Sequence, residues 1–185
     1  MNNTLFTGQL VRLAALNSET DAGSFARWSH DSEFWRLSHS SPARPALPKE
    51  VKAWLDNRSS GVYFFAIRTL SDNRFIGDVG LFDIKWNHGD ALMAISLGER
   101  EYWGKGYGTD ALRVLLRYAF TELNLHRVSL STLQANDRAI RSYEKAGFVH
   151  EGRMRQVSKY EGRRFDEVFM GILQAEWLIH QEKLA

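Results

Sequence analysis

The chain has 185 residues and a formal net charge of +2, with 24 basic and 22 acidic side chains. Hydrophobic residues make up 44% and charged residues 25%, the ordinary mixture of a globular domain, which excludes collagen-like, disordered and low-complexity chains. The small charge excess does not favour nucleic acid as a partner, and the absence of cysteine excludes disulfides, thiolate metal sites and a cysteine nucleophile.

The beginning of the chain, Met1 to Leu16, lacks the basic and then apolar stretches of a secretory signal. The longest apolar run, Val62–Ile67, is far shorter than the ~20 residues that span a bilayer. These two observations predict a cytoplasmic protein that makes no membrane contact.

The first 60 residues predict a strand followed by two helices. One helix is expected within residues 18–35, and the second begins near Pro48, a favourable residue for a first helical turn. Between them, Pro42 to Pro48 predicts an extended connector, because proline fixes φ and removes an amide donor. The apolar residues at helical spacing are Phe25, Trp28, Trp35, Val51, Trp54 and Leu55.

From residue 62 the pattern changes to strands. Val62–Thr69, Phe75–Ile84 and Ala91–Leu97 are rich in β-branched and aromatic residues, and the short turn clusters between them predict an antiparallel meander. A helix over Thr109–Leu123 follows, with its leucines in one apolar stripe, and then a strand over Val128–Leu133.

The last third predicts one helix and two strands. Asn136 is typical of a helix N-cap, and Gly147 of the left-handed residue that follows a helix. Strands are expected around Phe148–Gln156 and Asp166–Leu173. No linker divides the chain, so the pattern predicts one α+β domain over residues 1–185.

A glycine-rich segment, Gly104, Gly106 and Gly108, joins a predicted strand to the helix at Thr109. Glycine permits positive φ and close approach to a ligand, and a helix N-terminus offers free N–H groups to a phosphate. The segment is not a Walker A loop, which needs Gly-Lys-Ser/Thr, nor a Rossmann loop, because Thr109 stands where the third glycine belongs. A strand-to-helix turn without a ligand is the alternative.

This segment and a second block, Gln134 to Phe148, together resemble the GNAT superfamily of N-acetyltransferases, whose members bind acetyl-CoA. The resemblance runs from about Gly61 onward and includes Tyr160 to Asp166. It is strongest to the branch that contains ribosomal-protein N-terminal acetyltransferases and spermidine acetyltransferases. Trp103 departs from the family pattern, which has Arg or Gln there.

The resemblance implies the GNAT fold, an α+β domain with a central, mixed, mostly antiparallel sheet of about six to seven strands flanked by about four helices. Residues 1–60 would form the acceptor side and residues 61–185 the acetyl-CoA-binding core. A homodimer is consistent with this branch. No His-x-x-x-His pair occurs, so no metal is implied.

Acetyl-CoA is thus the expected co-substrate, held largely by backbone groups. The resemblance implies that the pantetheine arm pairs with the end of the third meander strand, that the strand carries a bulge there, and that an N–H of Leu97 or Gly98 donates to the thioester carbonyl. The expected cofactor-binding residues are Ser96, Leu97, Gly98, Trp103, Gly104, Lys105, Gly106, Tyr107, Gly108, Thr109, Asn136 and Tyr143.

Two side chains have both a structural and a functional interpretation. Asn136 is a helix N-cap or a hydrogen-bond partner of the cofactor, and both roles are compatible. Tyr143 is a core aromatic residue or, by the resemblance, the catalytic acid that protonates the departing CoA thiolate. Arg138, Arg141 and Lys145 steer the phosphates of CoA or form a solvated helix face.

The general base is missing from the pattern, because Leu92 occupies the position at which many relatives have glutamate. An α-amine has a pKa of ~7.7–8.0 against ~10.4 for lysine, so it needs less help to lose its proton. This favours the α-amine of a protein or peptide N-terminus as acceptor. The weak candidates for the base are Glu33, His39, Asp83, Glu99 and His126.

The sequence therefore predicts an N-acetyltransferase in which the amine attacks acetyl-CoA directly within a ternary complex. One alternative is a catalytically silent acyl-CoA-binding regulatory module, suggested by Leu92 and Trp103. Another is an acetyltransferase for a small amine such as a polyamine, an amino acid or an antibiotic. RNA association through Arg153, Arg155, Lys159, Arg163 and Arg164 is disfavoured, because acidic residues lie within and beside that stretch, namely Glu151, Glu161, Asp166 and Glu167.

Overall fold

The computed structural model describes residues 5–58 and 62–183. The predicted boundary between residues 60 and 61 lies outside them. The seven strands are β1 (Val11–Ala14), β2 (Tyr63–Thr69), β3 (Phe75–Lys85), β4 (Asp90–Leu97), β5 (Arg127–Leu133), β6 (Val149–Tyr160) and β7 (Arg163–Leu173). The helices are α1 (Ser18–Trp28), α2 (Ser32–Ser38), α3 (Pro48–Asp56), α4 (Tyr107–Thr121), α5 (Asp137–Ala146) and α6 (Gln174–Glu182), with a 3₁₀ turn at Arg100–Tyr102.

The strands form a single mixed sheet in the order β1-β2-β3-β4-β5-β7-β6. Every neighbouring pair is antiparallel except β4 and β5, which confirms the predicted mostly antiparallel sheet and its meander. In the part of the chain that the structure describes, six α-helices flank the sheet, rather than about four.

The extra helices come from the two ends of the chain. The helix expected within residues 18–35 is α1, which begins at Ser18 and buries Trp28. The prediction missed α2, because the Asp31 side chain starts a second helix three residues after α1 ends by accepting from the N–H of Phe34 at 3.0 Å. As a result Phe34, and not Trp35, is buried. The other addition, α6, buries only Trp177, so its sequence shows little helical periodicity.

The connector and α3 follow the prediction in position, since Pro48 is the first residue of α3. The burial of the apolar residues of α3 differs from the prediction. Val51 is buried, but Trp54 remains 53% exposed.

The main core lies between the sheet and α4. Four residues of the predicted stripe, Leu112, Leu115, Leu116 and Ala119, are completely buried there. At roughly 25 cal/mol per Å² of apolar surface removed from water, such a stripe fixes α4 against the sheet.

Asp110, in the first turn of α4, ties this helix to the beginning of the chain. Its carboxylate accepts from the backbone N–H groups of Gln9, Leu10 and Val11 at 3.0, 2.7 and 3.0 Å. Gly8 lies so close that a Cβ there would meet the carboxylate at 2.3 Å. The start of α4 is therefore held at the edge where β1 enters the sheet.

The parallel pairing of β4 with β5 covers only Asp90–Leu92 and Arg127–Ser129. Beyond Leu92 the two strands are no longer paired, so within residues 5–58 and 62–183 no strand pairs with the far end of β4 on that edge. The predicted bulge in β4 is wrong, because β4 pairs with β3 without a shift from Leu92 to Leu97. The irregularity lies in β3, where Asp83 has φ +49°.

Among the described residues, no helix combines the length and apolar character needed to cross a bilayer.

Candidate active site

The unpaired end of β4 presents backbone groups to the gap beside β5. The N–H of Gly98 donates to the carbonyl of Ile76 on β3 at 3.0 Å. Because backbone groups alternate in direction along an antiparallel strand, Leu97 faces the gap, whereas Ser96 faces β3. Of the two N–H groups expected to hold the thioester carbonyl, only that of Leu97 therefore points into the gap.

The glycine loop has the backbone geometry expected of it. Gly104 and Gly106 have φ +71° and +92°, the left-handed region that disfavours side chains. Gly106 is the N-cap of α4 and offers no side chain to the first turn, so the helix begins with backbone N–H groups directed outward. Gly108 needs no positive φ, and a Cβ there would lie 3.4 Å from Cδ1 of Leu97.

A cavity of about 450 Å³ lies at this end of β4. Its walls come from β4, the glycine loop, α5 and, on the other side, Phe34 and Leu37 of α2. The predicted site residues that line it are Leu97, Trp103, Gly104, Gly106, Gly108, Thr109, Asn136 and Tyr143. The predicted residues that do not line it are Ser96, Gly98, Lys105 and Tyr107.

Trp103, the departure from the family pattern, is part of the wall. Its indole N–H donates to the carbonyl of Leu97 at 2.6 Å. The guanidinium groups of Arg138 and Arg100 lie 3.6 and 4.6 Å from the centroid of its ring, a cation–π arrangement. Trp103 thus fixes the end of β4 and holds Arg138 at the cavity.

The cavity is electropositive. The side chains of Arg113, Arg138, Arg141 and Lys145 line it. The acid on its wall, Asp110, is already occupied by three backbone N–H groups. Together with the N-terminus of α4, this charge distribution suits a ligand that carries phosphates.

Asn136 combines its two predicted roles without conflict. Its Oδ1 accepts from the N–H of Ala139 at 3.3 Å, which caps α5. It is buried and lines the cavity, and the cap leaves its amide Nδ2 as a donor.

Tyr143 is both a core residue and a wall residue. It is 7% exposed, and its ring lies 6.0 Å from that of Phe148. Burial raises the pKa of its phenol to about 12. The hydroxyl therefore stays protonated, and able to donate a hydrogen bond, throughout the neutral range.

None of the candidate bases lines this cavity. Glu99 accepts from Nε1 of Trp28 at 3.1 Å and is paired with Arg27 and Arg74. Glu33 is bound by Arg100 at 2.6 Å. His39 and His126 lie outside the cavity wall, as does the exposed Asp83.

A carboxyl group that the sequence analysis missed lies on β3. Asp78 stands directly opposite Ser96 on β4 and accepts a hydrogen bond from its hydroxyl. Burial raises the pKa of the Asp78 carboxyl to about 6, while this hydrogen bond and the charge of Arg58 act in the other direction. The signal for it was a charged residue within the otherwise apolar strand Phe75 to Phe82.

Comparison with known proteins agrees with this geometry. A family model described as an acetyltransferase (GNAT) domain matches residues 11–149. The probable N-acetyltransferase YjcK of Bacillus subtilis is 38% identical over 117 residues, which is 62% of this chain and 63% of that protein, slightly under two thirds of its length.

A solved structure and a shorter sequence match add two further relatives. The crystal structure of spermidine N-acetyltransferase from Vibrio cholerae, in complex with CoA and spermine, superimposes with a TM-score of 0.81 at 26% identity, covering 91% of this chain and 98% of that one. The putative ribosomal N-acetyltransferase YdaF of Bacillus subtilis is 37% identical over 78 residues, which is 42% of this chain and 43% of that protein.

Proposed function

The chain belongs to the GNAT family of N-acetyltransferases, with acetyl-CoA as co-substrate, and we propose that its acceptor is a primary amine bearing a single positive charge. The first class to test is the α-amine of a peptide or protein N-terminus. The observation that carries this proposal is the neutralisation of the carboxylates on the front helices.

Those carboxylates are already bound by arginines of the same chain. Arg100 holds Asp31 and Glu33 of the α2 region, each at 2.6 Å. Arg68 holds the buried Asp21 of α1 at 2.6 Å. A polyamine with several positive charges needs carboxylates that are free to pair with it, and it is repelled by the cationic cavity wall. An amine with one charge does not need several free carboxylates, and the cationic wall repels it less.

The described residues supply a hydrogen-bonding frame for acetyl-CoA in this proposal. The outward N–H groups of residues 104–109 hold the pyrophosphate, and Arg138 and Lys145 add positive charge beside it. Asn136 Nδ2 donates to the pantetheine arm. The N–H of Leu97 donates to the thioester oxygen, on which negative charge grows as the amine attacks.

The transfer itself needs one bond made and one broken. The lone pair of the neutral amine attacks the thioester carbon to form the C–N bond, and the C–S bond then breaks. Overall, an ammonium ion and acetyl-CoA give the amide, the CoA thiol and one released proton.

Tyr143 stabilises the departing sulfur in this scheme. A thiol has a pKa of about 8.5, below the value of about 12 to which burial raises the phenol. Complete proton transfer from the phenol to a thiolate is therefore uphill. We assign to Tyr143 a hydrogen bond to the sulfur while the C–S bond breaks, and the thiolate takes its proton from solvent afterwards.

A polyamine acceptor is the second candidate, because the spermidine N-acetyltransferase neighbour is complexed with spermine. A ribosomal protein as the acceptor has narrower support, from the shorter match to YdaF. In both cases residues 1–60 would shape the acceptor side, which the position of Phe34 and Leu37 at the cavity supports.

One experiment separates these acceptors. Release of CoA thiol from acetyl-CoA is measured with a panel of peptides bearing free N-termini, with the same peptides blocked at the α-amine, and with spermidine. We expect acetylation of the free α-amine, located by mass spectrometry, at a kcat/KM at least about tenfold above that for spermidine, equivalent to about 1.4 kcal/mol. A higher value for spermidine would contradict the proposal and favour the polyamine.

A further inference from the structure

The reaction needs a group that removes a proton from the attacking ammonium, and the described residues that line the cavity include no free carboxylate or imidazole. Leu92, at the position where glutamate was expected, carries no ionisable group. Asp110, the acid on the wall of the described cavity, is occupied by three backbone N–H groups. A carboxyl group that does not line this wall stands beside the end of β4, on the residue opposite Ser96.

The pair formed by Ser96 and Asp78 has the chemistry of such a group. The hydroxyl of Ser96 donates its proton to Oδ1 of Asp78. A hydroxyl whose proton is directed in this way presents its lone pairs elsewhere, and can accept a hydrogen bond from an N–H group. Among the described side chains, Ser96 is the donor to this carboxylate, and Asp78 is half-buried.

The pair also lies next to the N–H group that is expected to hold the thioester carbonyl. Ser96 precedes Leu97, whose N–H faces the gap between β4 and β5. Side chains alternate between the two faces of a strand, and Leu97 packs against the core under α4. Ser96 and Asp78 therefore lie on the opposite face of the sheet.

That face belongs to the front helices. Ala66, the cross-strand partner of Asp78 on β2, packs with Trp28 and Phe34 of α1 and α2. A thioester reached from the α4 side and an amine reached from the front-helix side would thus meet at the end of β4. Ser96 stands on the side of the amine.

We propose that Ser96 and Asp78 act together as the proton acceptor for the amine, an inference that rests on the acetyltransferase function proposed above. The ammonium N–H bond breaks as its proton passes to Oγ of Ser96, and the Ser96 proton passes to Oδ1 of Asp78. The freed lone pair of the amine then attacks the thioester carbon. Asp78 returns its proton to solvent, and the second amine proton leaves with the collapse of the intermediate.

The ionisation of Asp78 suits this role. Burial raises the pKa of its carboxyl to about 6, so it is ionised at neutral pH and yet a stronger base than an ordinary aspartate. The charged and polar groups that face it are Arg58, from the end of α3, and Ser96. Asp78 acts through Ser96 and is a positioning residue and proton sink, not a group that touches the substrate.

The test compares pH profiles of kcat/KM for the wild type, Asp78→Asn and Ser96→Ala, using whichever acceptor of the peptide and spermidine panel the wild type acetylates. Asp56→Asn and Ser131→Ala are matched controls, because both residues are exposed and lie outside the cavity. Acetyl-CoA affinity is measured by calorimetry for every variant.

For the wild type we expect kcat/KM to rise through pH about 6 and then to stay level up to the pKa of the amine. In Asp78→Asn the plateau disappears, and log kcat/KM rises with a slope of one up to the amine pKa, because only the free amine reacts. The loss at neutral pH is about 100-fold for Asp78→Asn and of similar order for Ser96→Ala. Acetyl-CoA affinity and both controls stay at the wild-type values.

Several results would overturn the inference. A plateau and rate retained in Asp78→Asn, with normal acetyl-CoA affinity, would remove the pair from the reaction while the acetyltransferase function stands. If Asp78→Asn does not fold, Ser96→Ala, which removes a single oxygen, decides the question by the same profile. Absence of CoA release by the wild type with every amine, despite acetyl-CoA binding, would overturn the proposed function and this inference together.

Discussion

The indole N–H of Trp103 donates to the carbonyl oxygen of Leu97 at 2.6 Å, and this bond joins the glycine loop to the end of β4. Leu97 is the residue whose N–H points into the gap beside β5. The same indole ring lies 3.6 Å from the guanidinium carbon of Arg138. One aromatic side chain therefore positions the backbone expected at the thioester and a cation on the cavity wall.

Replacing Trp103 by phenylalanine separates these two effects. Trp103→Phe keeps an aromatic face for Arg138 and leaves the Leu97 carbonyl without its donor. A hydrogen bond of this kind contributes about 1 kcal/mol, so we expect the Kd of acetyl-CoA to rise about fivefold. Calorimetry measures the change, and Trp86→Phe, an exposed tryptophan at the end of β3, is the control. An unchanged Kd would show that this bond does not organise the site.

Tyr143→Phe removes a single oxygen from a ring that remains packed against Phe148. We expect kcat to fall about 100-fold, because the sulfur loses its hydrogen bond as the C–S bond breaks. The Kd of acetyl-CoA stays within about twofold, since the phenol acts on charge that develops after binding. Steady-state turnover and calorimetry are compared for the two proteins. Turnover equal to the wild type would exclude Tyr143 from the chemistry.

Local signals explain which parts of the structure the sequence could predict. The stripe of α4, the cap at Asn136 and the left-handed Gly147 each depend on a few neighbouring residues, and all three are confirmed. Gly104 and Gly106 likewise have the positive φ that the loop suggested. Turn chemistry and periodicity act over short distances, so one sequence is enough to read them.

The features that the sequence missed depend on contacts between distant segments. Asp31 caps α2 shortly after α1 has ended at Trp28, a role that apolar spacing alone does not reveal. Asp78 is a single charged residue in an otherwise apolar strand, and its partner, Ser96, is identified only by the register of β3 with β4. The N–H of Gly98 could be assigned to Ile76 only once the pairing of β3 with β4 was known.

The anchor at Asp110 gives a prediction about stability. In Asp110→Asn all three backbone N–H groups lose a charged partner. The single amide oxygen can still accept from Leu10 and Val11, but an NH2 group then faces the N–H of Gln9. Hydrogen bonds to charged groups contribute about 1.5–3 kcal/mol each, so we expect a loss of about 3 kcal/mol in the free energy of unfolding. Urea denaturation measures it. Asp137→Asn is the control, because Asp137 occupies the first turn of α5 but is exposed. Equal stability of the two variants would contradict the anchoring role.

The raised pKa of Asp78 makes a prediction that does not depend on any substrate. A carboxyl group with a pKa of about 6 in the folded state, against 3.8 ordinarily, binds more protons folded than unfolded between those two values. Its contribution to stability is therefore fully present below the lower pKa and is lost as the pH rises through about 6. The difference corresponds to at most about 3 kcal/mol.

Asp78→Asn removes the charge that burial opposes, so we expect this variant to be more stable than the wild type at neutral pH. The advantage disappears near pH 4, where the wild-type carboxyl is protonated. Thermal and urea denaturation across the pH range measure the difference. Asp56→Asn is the matched control, and it should show no gain, because the pKa of Asp56 is lowered by its hydrogen bond from Lys52. If the wild type is more stable than Asp78→Asn at neutral pH, the charge of Asp78, beside Arg58, stabilises the fold. The expectation that this charge costs stability would then be wrong.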